Sequence, residues 1–213
     1  MLGRGRDDGA SSGEFSPICF RVDGWRRITG SDETIWLNET GEVGKKGWDA
    51  ASVRIVQTVV LECLVTGKRV LFMNTHLDDQ GTKSREESAK VILEECKKRK
   101  RLYDVDAVVL GGDLNSESNG DAYPIIANYE KSGVVDVRML SNGEEVYGDE
   151  NTFTGFNGHG DGEQLKRIDF LFLGTKKEDD FNPYVPAYAV LPNRFEDGVY
   201  LSDHRAVVAD LVI

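Results

Sequence analysis

The sequence predicts an α/β fold, a mixed-sheet sandwich with its helices outside, and three patterns predict it. Short extended runs face one another across turn signals, and one long run has a helical period. The order of elements is irregular, with hairpins in place of regular strand–helix–strand units. A chain of 213 residues suits one sizeable domain, residues 1–213, better than two independent cores.

Residues 1–14 are polar and glycine-rich and read as an exposed loop. Extended runs follow at 15–22, 25–28 and 34–37, with Asp23-Gly24 as a hairpin signal between the first two. Residues 41–49 are loop. The run 54–64 alternates apolar and polar side chains, and 69–77 answers it across Thr66-Gly67-Lys68, which predicts a second hairpin. Residues 83–101 carry the helical pattern, with Ala89, Val91, Ile92, Leu93, Cys96 and Leu102 recurring at helical spacing. The basic run 97–101 reads as last-turn cations favoured by the helix dipole and balanced by Glu86, Glu87, Glu94 and Glu95, rather than as a nucleic-acid patch. The run 106–110 is apolar after Asp106, as in a buried strand, and leads into Gly111-Gly112-Asp113. The remainder predicts a short helix over 121–131, a long acidic loop over 144–164 with an extended Thr152-Phe153-Thr154 piece, and strands over 167–173, 184–190 and 205–212.

Composition narrows the function. A net charge of −11 repels polyanions at long range and argues against indiscriminate duplex binding, yet a metal ion can reverse the sign locally. No apolar run is long enough to cross a bilayer. The start has basic residues without an apolar stretch behind them and does not read as a secretory signal; the compartment is left unknown, cytoplasmic only by default. Cys19, Cys63 and Cys96 lack metal-ligand spacing and read as small buried hydrophobes in a chain that does not rely on disulfides.

The chemistry gathers at strand ends. Apolar runs lead into Asn74-Thr75-His76-Leu77-Asp78, Gly112-Asp113-Leu114-Asn115 and Ser202-Asp203-His204, and Arg167-Ile168-Asp169-Phe170 sets a carboxylate within a strand. Asp113 and Asn115, at i and i+2, project to one side of an extended segment, and hard divalent cations prefer such oxygen donors. His76 and His204 can each transfer a proton or contact a phosphate, and a neighbouring carboxylate would fix the tautomer.

In combination these segments, with Arg-Gly-Arg-Asp-Asp-Gly, Gly-Glu-Phe-Ser-Pro-Ile and Lys-Gly-Trp-Asp-Ala-Ala, resemble the endonuclease/exonuclease/phosphatase superfamily from Gly3 to the C-terminus. The resemblance implies a four-layer sandwich of two mixed sheets with outer helices. It also implies a phosphoesterase that uses Mg²⁺ or Mn²⁺ and hydrolyses a phosphodiester or phosphomonoester by direct attack of water. By position, His76 would contact the scissile phosphate with Glu14 orienting it, and Asp113 and Asn115 would orient the water and bind metal. Asp169 would lie at the phosphate site, Asp203 would bind metal or orient a histidine, and His204 would stabilise the pentacovalent phosphate. Arg54 is either a supporting or phosphate contact or a surface cation, Trp48 and Asp49 are loop packing or cleft, and His159 has no counterpart.

The chain departs from the family pattern in lacking the N-terminal Asn and Leu-Gln-Glu motifs, so the first strands are read as missing and sheet edges as exposed. A binding module or gene-model fragment without activity is the alternative, and Glu14 or Asp8 is a candidate replacement ligand. The expected partner is a phosphorylated small molecule, a lipid head group, or a nucleotide or nucleic acid, and the expected state is a monomer.

Overall fold

The hairpin predicted over 54–77 forms the middle of the larger of two sheets. In the computed structural model, which describes residues 1–141, 143–156, 165–175 and 183–213, β1 (Trp25–Arg27) and β2 (Glu33–Trp36) both pair antiparallel with β3 (Ile55–Cys63). β3 pairs antiparallel with β4 (Arg69–His76), and β4 runs parallel to β5 (Ala107–Asp113). A parallel neighbour requires a crossover, which α1 (Thr82–Tyr103) supplies. Beyond β5 the order continues through β8 (Asp169–Thr175) to the two-residue β6 (Val135–Asp136), both antiparallel. In the second sheet β9 (Tyr184–Val190) lies between β7 (Val146–Gly148), parallel to it, and β10 (Val207–Val212), antiparallel.

Side-chain alternation sorts the core into layers. Val108, Leu110, Phe170 and Phe172 turn to one face of the large sheet, where Ala89, Ile92 and Cys96 of α1 cover them. Val109, Leu171 and Leu173 turn to the other face and meet Val185, Tyr188 and Val190 of the second sheet. Each large aliphatic or aromatic side chain buried this way contributes about 1.5–3 kcal/mol. A cleft of about 730 Å³ opens between the sheets, bordered by Trp25, Phe72, Val109, Leu211 and Ile213. Among the described residues no helix is long and apolar enough to cross a membrane.

Four expectations are corrected. Residues 15–22 form no strand: Pro17 has no N–H to donate, and only Ile18 pairs, with Leu2. Asp23-Gly24 therefore joins no hairpin, and β1 finds its partner in β3, Trp25 opposite Cys63. The helix expected over 121–131 is two single turns, α2 (Tyr123–Ile126) and α3 (Tyr129–Ser132), and a third turn, α4 (Val137–Leu140), follows β6. Of the three cysteines only Cys96 is buried, while Cys19 is exposed and Cys63 half-buried.

The helix termini are tied into the fold. Gly81 at the start of α1 has no capping side chain, and the Asp49 carboxylate takes that place, accepting from the N–H groups of Ser84 (2.7 Å) and Lys83 (3.2 Å). Asp49 is thus loop packing, one of the two roles open to it. Lys97 and Lys98 pair with Glu94 and Glu95, and buried Arg99 donates to the Ser31 carbonyl and pairs with Glu33, so the basic run is structural.

Candidate active site

Three strands of the large sheet deliver their polar residues in one row. His76 ends β4, Asp113 ends β5 and Asp169 begins β8, and the register sets His76 opposite Asp113 and Asp113 opposite Asp169. Gly112 makes the approach possible. Its φ of +145° disfavours a side chain, and a Cβ there would run into the Thr75 backbone of the neighbouring strand. After Asp113 the chain turns sharply. Asn115 takes a left-handed conformation (φ +46°), its N–H donates to Asp113 Oδ1 (2.7 Å), and its side-chain Nδ2 donates to the Leu77 carbonyl (2.9 Å). Among the described residues the Asn115 side-chain carbonyl has no hydrogen-bond donor, which leaves it available to a ligand.

Two histidines converge on Asp113, each steered by its own carboxylate. His76 Nδ1 lies 2.5 Å from Glu14 Oε1, and its Nε2 is 3.4 Å from Asp113 Oδ2. His204 Nδ1 lies 2.8 Å from Asp169 Oδ2, and its Nε2 is 3.9 Å from the same Asp113 oxygen. A carboxylate on Nδ1 fixes the proton there and so fixes the role of the other nitrogen. The Phe153 ring packs edge-on against His204, centroids 5.1 Å apart.

Charge follows from this crowding. Burial, and then the neighbouring Asp169 carboxylate, push the Asp113 carboxyl up to about 6. The hydrogen bond that His204 Nδ1–H donates to Asp169, aided by charge, raises His204 above its ordinary value against the pull of burial. Burial would raise Glu14, but its hydrogen bond and charge interaction with His76 leave it lowered.

A frame that the sequence does not advertise carries the His204 side. Thr152 Oγ1 accepts from the N–H groups of Ile168 and Asp169, both at 3.0 Å. Thr154 N–H donates to the Asp203 carbonyl (2.9 Å), and buried Asn193 donates to Thr154 Oγ1 (2.7 Å) and the Ser202 carbonyl (2.9 Å). The one available hint is the extended Thr152-Phe153-Thr154 piece. Asn193 gives none, because its partners are 39 and 9 residues away.

The remaining candidates fall outside the central row. The Asp203 side chain accepts from Ser202 Oγ at 3.3 Å, and its charge is felt at His204. The Arg54 side chain is only 5% exposed, which removes the surface role. It pairs with Asp78 (3.3 Å) and Asp79 (2.8 Å), while its Nη1 is buried without a partner among the described residues. Glu14 is occupied by His76 and by Arg6 (2.9 Å), and Asp8 accepts from Ala10 and Ser12 N–H within its own loop. Trp48 is half-buried in a left-handed conformation (φ +49°), and His159 lies outside the described residues.

Among the described residues, Asp113, Asp169 and His204 form a group whose donor atoms lie within 4.8 Å of one another. Two facing carboxylates, one of them nearly buried, make an electrostatic deficit that a cation relieves, and with the Asn115 carbonyl they supply the hard oxygens that Mg²⁺ or Mn²⁺ prefers. The residues present fit such an ion.

No protein-family model and no curated protein matches the chain. Solved structures do. An endonuclease/exonuclease/phosphatase from Bacteroides vulgatus is 31% identical with a TM-score of 0.85, over 100% of this chain and 75% of that one. A mannosyl-6-phosphatase from Bacteroides thetaiotaomicron is 30% identical with a TM-score of 0.84, over 100% of this chain and 76% of that one. D. rerio TDP2, solved with a single-strand DNA product, is 20% identical with a TM-score of 0.71, over 97% and 76% of the two chains, and shares the fold.

Proposed function

The chain belongs to the endonuclease/exonuclease/phosphatase family of metal-dependent phosphoesterases, and from that premise we propose that it hydrolyses the phosphomonoester of a small phosphorylated molecule by direct attack of water. The observation that carries this reading is the convergence of two carboxylate-steered imidazoles, through Nε2 of His76 and Nε2 of His204, on one oxygen of Asp113. The acidic surface favours a small substrate over a long polyanion, and one relative of 30% identity is a mannosyl-6-phosphatase.

In this reading the phosphoryl group lies between the two Nε2 atoms. Asp113 takes a proton from water, with the Asn115 carbonyl orienting that water, as the new O–P bond forms and the ester P–O bond breaks. His76, held by Glu14, contacts a phosphoryl oxygen through Nε2, and His204, held by Asp169 and favoured as the imidazolium, gives its Nε2 proton to the departing alkoxide, which leaves as an alcohol. Asp113, Asp169 and Asn115 would hold the divalent ion, which when bound neutralises phosphoryl charge.

The test is release of inorganic phosphate from mannose 6-phosphate, and of nitrophenol from bis(p-nitrophenyl) phosphate, with Mg²⁺, Mn²⁺ or excess chelator. Metal-dependent turnover is expected, faster on the monoester, and Asp113→Ala or His204→Ala lowers kcat/KM by about 10²–10⁴-fold. A folded chain that turns over neither ester with either metal would falsify the proposal.

A further inference from the structure

On the segments that follow Thr154 and precede Asp203, an aromatic corner stands in solvent. Phe156 is 61% exposed, and its ring meets that of Tyr200 with centroids 6.2 Å apart and planes at 84°. The Arg194 guanidinium lies over the Tyr200 ring, 5.5 Å from its centroid, and its two Nη groups have no hydrogen-bond acceptor among the described residues. The corner is built rather than accidental. Arg194 pairs with Tyr200 across a turn closed by Phe195 N–H to the Val199 carbonyl (2.8 Å) and Leu201 N–H to the Asn193 carbonyl (2.9 Å). Asn193 bolts that turn to Thr154 and Ser202, the same two segments that carry Phe153 against His204.

We propose that Phe156, Tyr200 and Arg194 form the subsite for the non-phosphate half of the substrate, and that this half is a neutral, hydroxylated, saturated ring, so that the substrate is a sugar phosphate. The inference rests on the phosphoesterase reading above and names its substrate class. Tyr200 is three residues from Asp203, a span of at most about 11 Å of chain, so the corner lies within reach of a molecule whose phosphate is at His204. Two rings near 90° present no pair of parallel faces to clamp a planar base from both sides, which leaves a base one face at most. They do offer a face against which the C–H groups of a puckered ring pack, and the Arg194 N–H groups supply donors for its hydroxyls. Glu196 and Asp197 on the same turn, with the net charge of −11, oppose a second phosphate or an extended polyanion there.

The test reads binding, not turnover, on the full chain: saturation-transfer NMR and calorimetric affinity for mannose 6-phosphate, adenosine 5′-monophosphate and inorganic phosphate. The mannose ring protons receive saturation, and Phe156→Ala and Arg194→Ala each lower the ratio of mannose 6-phosphate to inorganic phosphate affinity by about fivefold, the weight of one lost aromatic or cationic contact. Phe156 and Arg194 are exposed, so both variants keep the wild-type melting temperature. Three results overturn the inference: no saturation of the ring protons, an unchanged affinity ratio in both variants, or tighter, Phe156-dependent binding of the nucleotide. A chain that binds the sugar phosphate through Phe156 yet hydrolyses nothing refutes the function proposed above and leaves this subsite standing.

Discussion

Asp113 is 12% exposed with a second carboxylate one strand away, and both circumstances oppose its ionisation. Its folded pKa, raised to about 6, lies above the unfolded value near 3.9, so the stability it contributes is full below pH ~4 and lost as pH rises through about 6. At pH 7.5 the charge is therefore a cost carried by the metal-free protein. His204 acts in the same direction, its raised pKa giving stability that fades as pH climbs. Asp113→Asn keeps an acceptor for the Asn115 N–H while removing the charge. In excess chelator it should be more stable than wild type at pH 7.5 by about 1 kcal/mol, with the gap narrowing at pH 5. Urea midpoints at the two pH values decide it, and an Asn variant less stable at pH 7.5 would show that the aspartate charge is already balanced by the histidines. Asp78 is the opposite case. Burial would raise its carboxyl, but N–H groups of Ala51, Gly81, Ser52 and Gln80 hold it far below the usual range, and it fixes the loop beneath the site.

Strands β4, β5 and β8 act as a ruler, because a one-residue slip of any one of them would turn its own His76, Asp113 or Asp169 to the wrong face and break the row. Gly112 holds the register. Replacing it with alanine combines a disfavoured φ with collision against the Thr75 backbone, so Gly112→Ala should cost about 2–4 kcal/mol and lower activity with it. Chemical denaturation reads the loss, and a variant within 0.5 kcal/mol of wild type, on the order expected for a surface change, would sink the argument. Elements of this kind were readable where the information is local. The β3–β4 hairpin has alternation on both arms and a glycine turn between them, α1 has a long apolar stripe, and β9 falls on its expected residues. Partner choice is not local. β1 pairs with residues 61–63 across the intervening β2, whereas Asp23-Gly24 points to a neighbour in sequence. β6 and β7, at two and three residues, are too short to show a period. The same division runs through the site. His76, Asp113, Asn115, Asp169 and His204 stand out by residue type at strand ends, whereas Thr152, Asn193 and Asp49 are ordinary loop residues until folding brings their partners from 9 to 39 residues away.

Across the molecule, a net charge of −11 and a site built around facing carboxylates both make cations stabilising, through different physics. Diffuse charge is relieved by any salt, because exposed carboxylates beyond a Debye length of roughly 10 Å at 0.1 M are screened without discrimination. The facing pair of Asp113 and Asp169 is half-buried, with side chains 12% and 20% exposed, and responds to a bound ion instead. Binding to the folded state alone stabilises by about 2.7 kcal/mol when the ion stands at 100 times its Kd. For a chain of this length that corresponds to a rise in Tm of about 5–10 °C. Mg²⁺ or Mn²⁺ should therefore raise Tm well beyond NaCl of equal ionic strength, and Asp113→Ala should abolish the excess while keeping the response to NaCl. Calorimetry in matched salts separates the two contributions. Equal shifts from NaCl and MgCl₂ in the wild-type chain would mean that the carboxylate pair gains nothing from a divalent ion, and the row from His76 to Asp169 would then be a hydrogen-bonded scaffold without its metal.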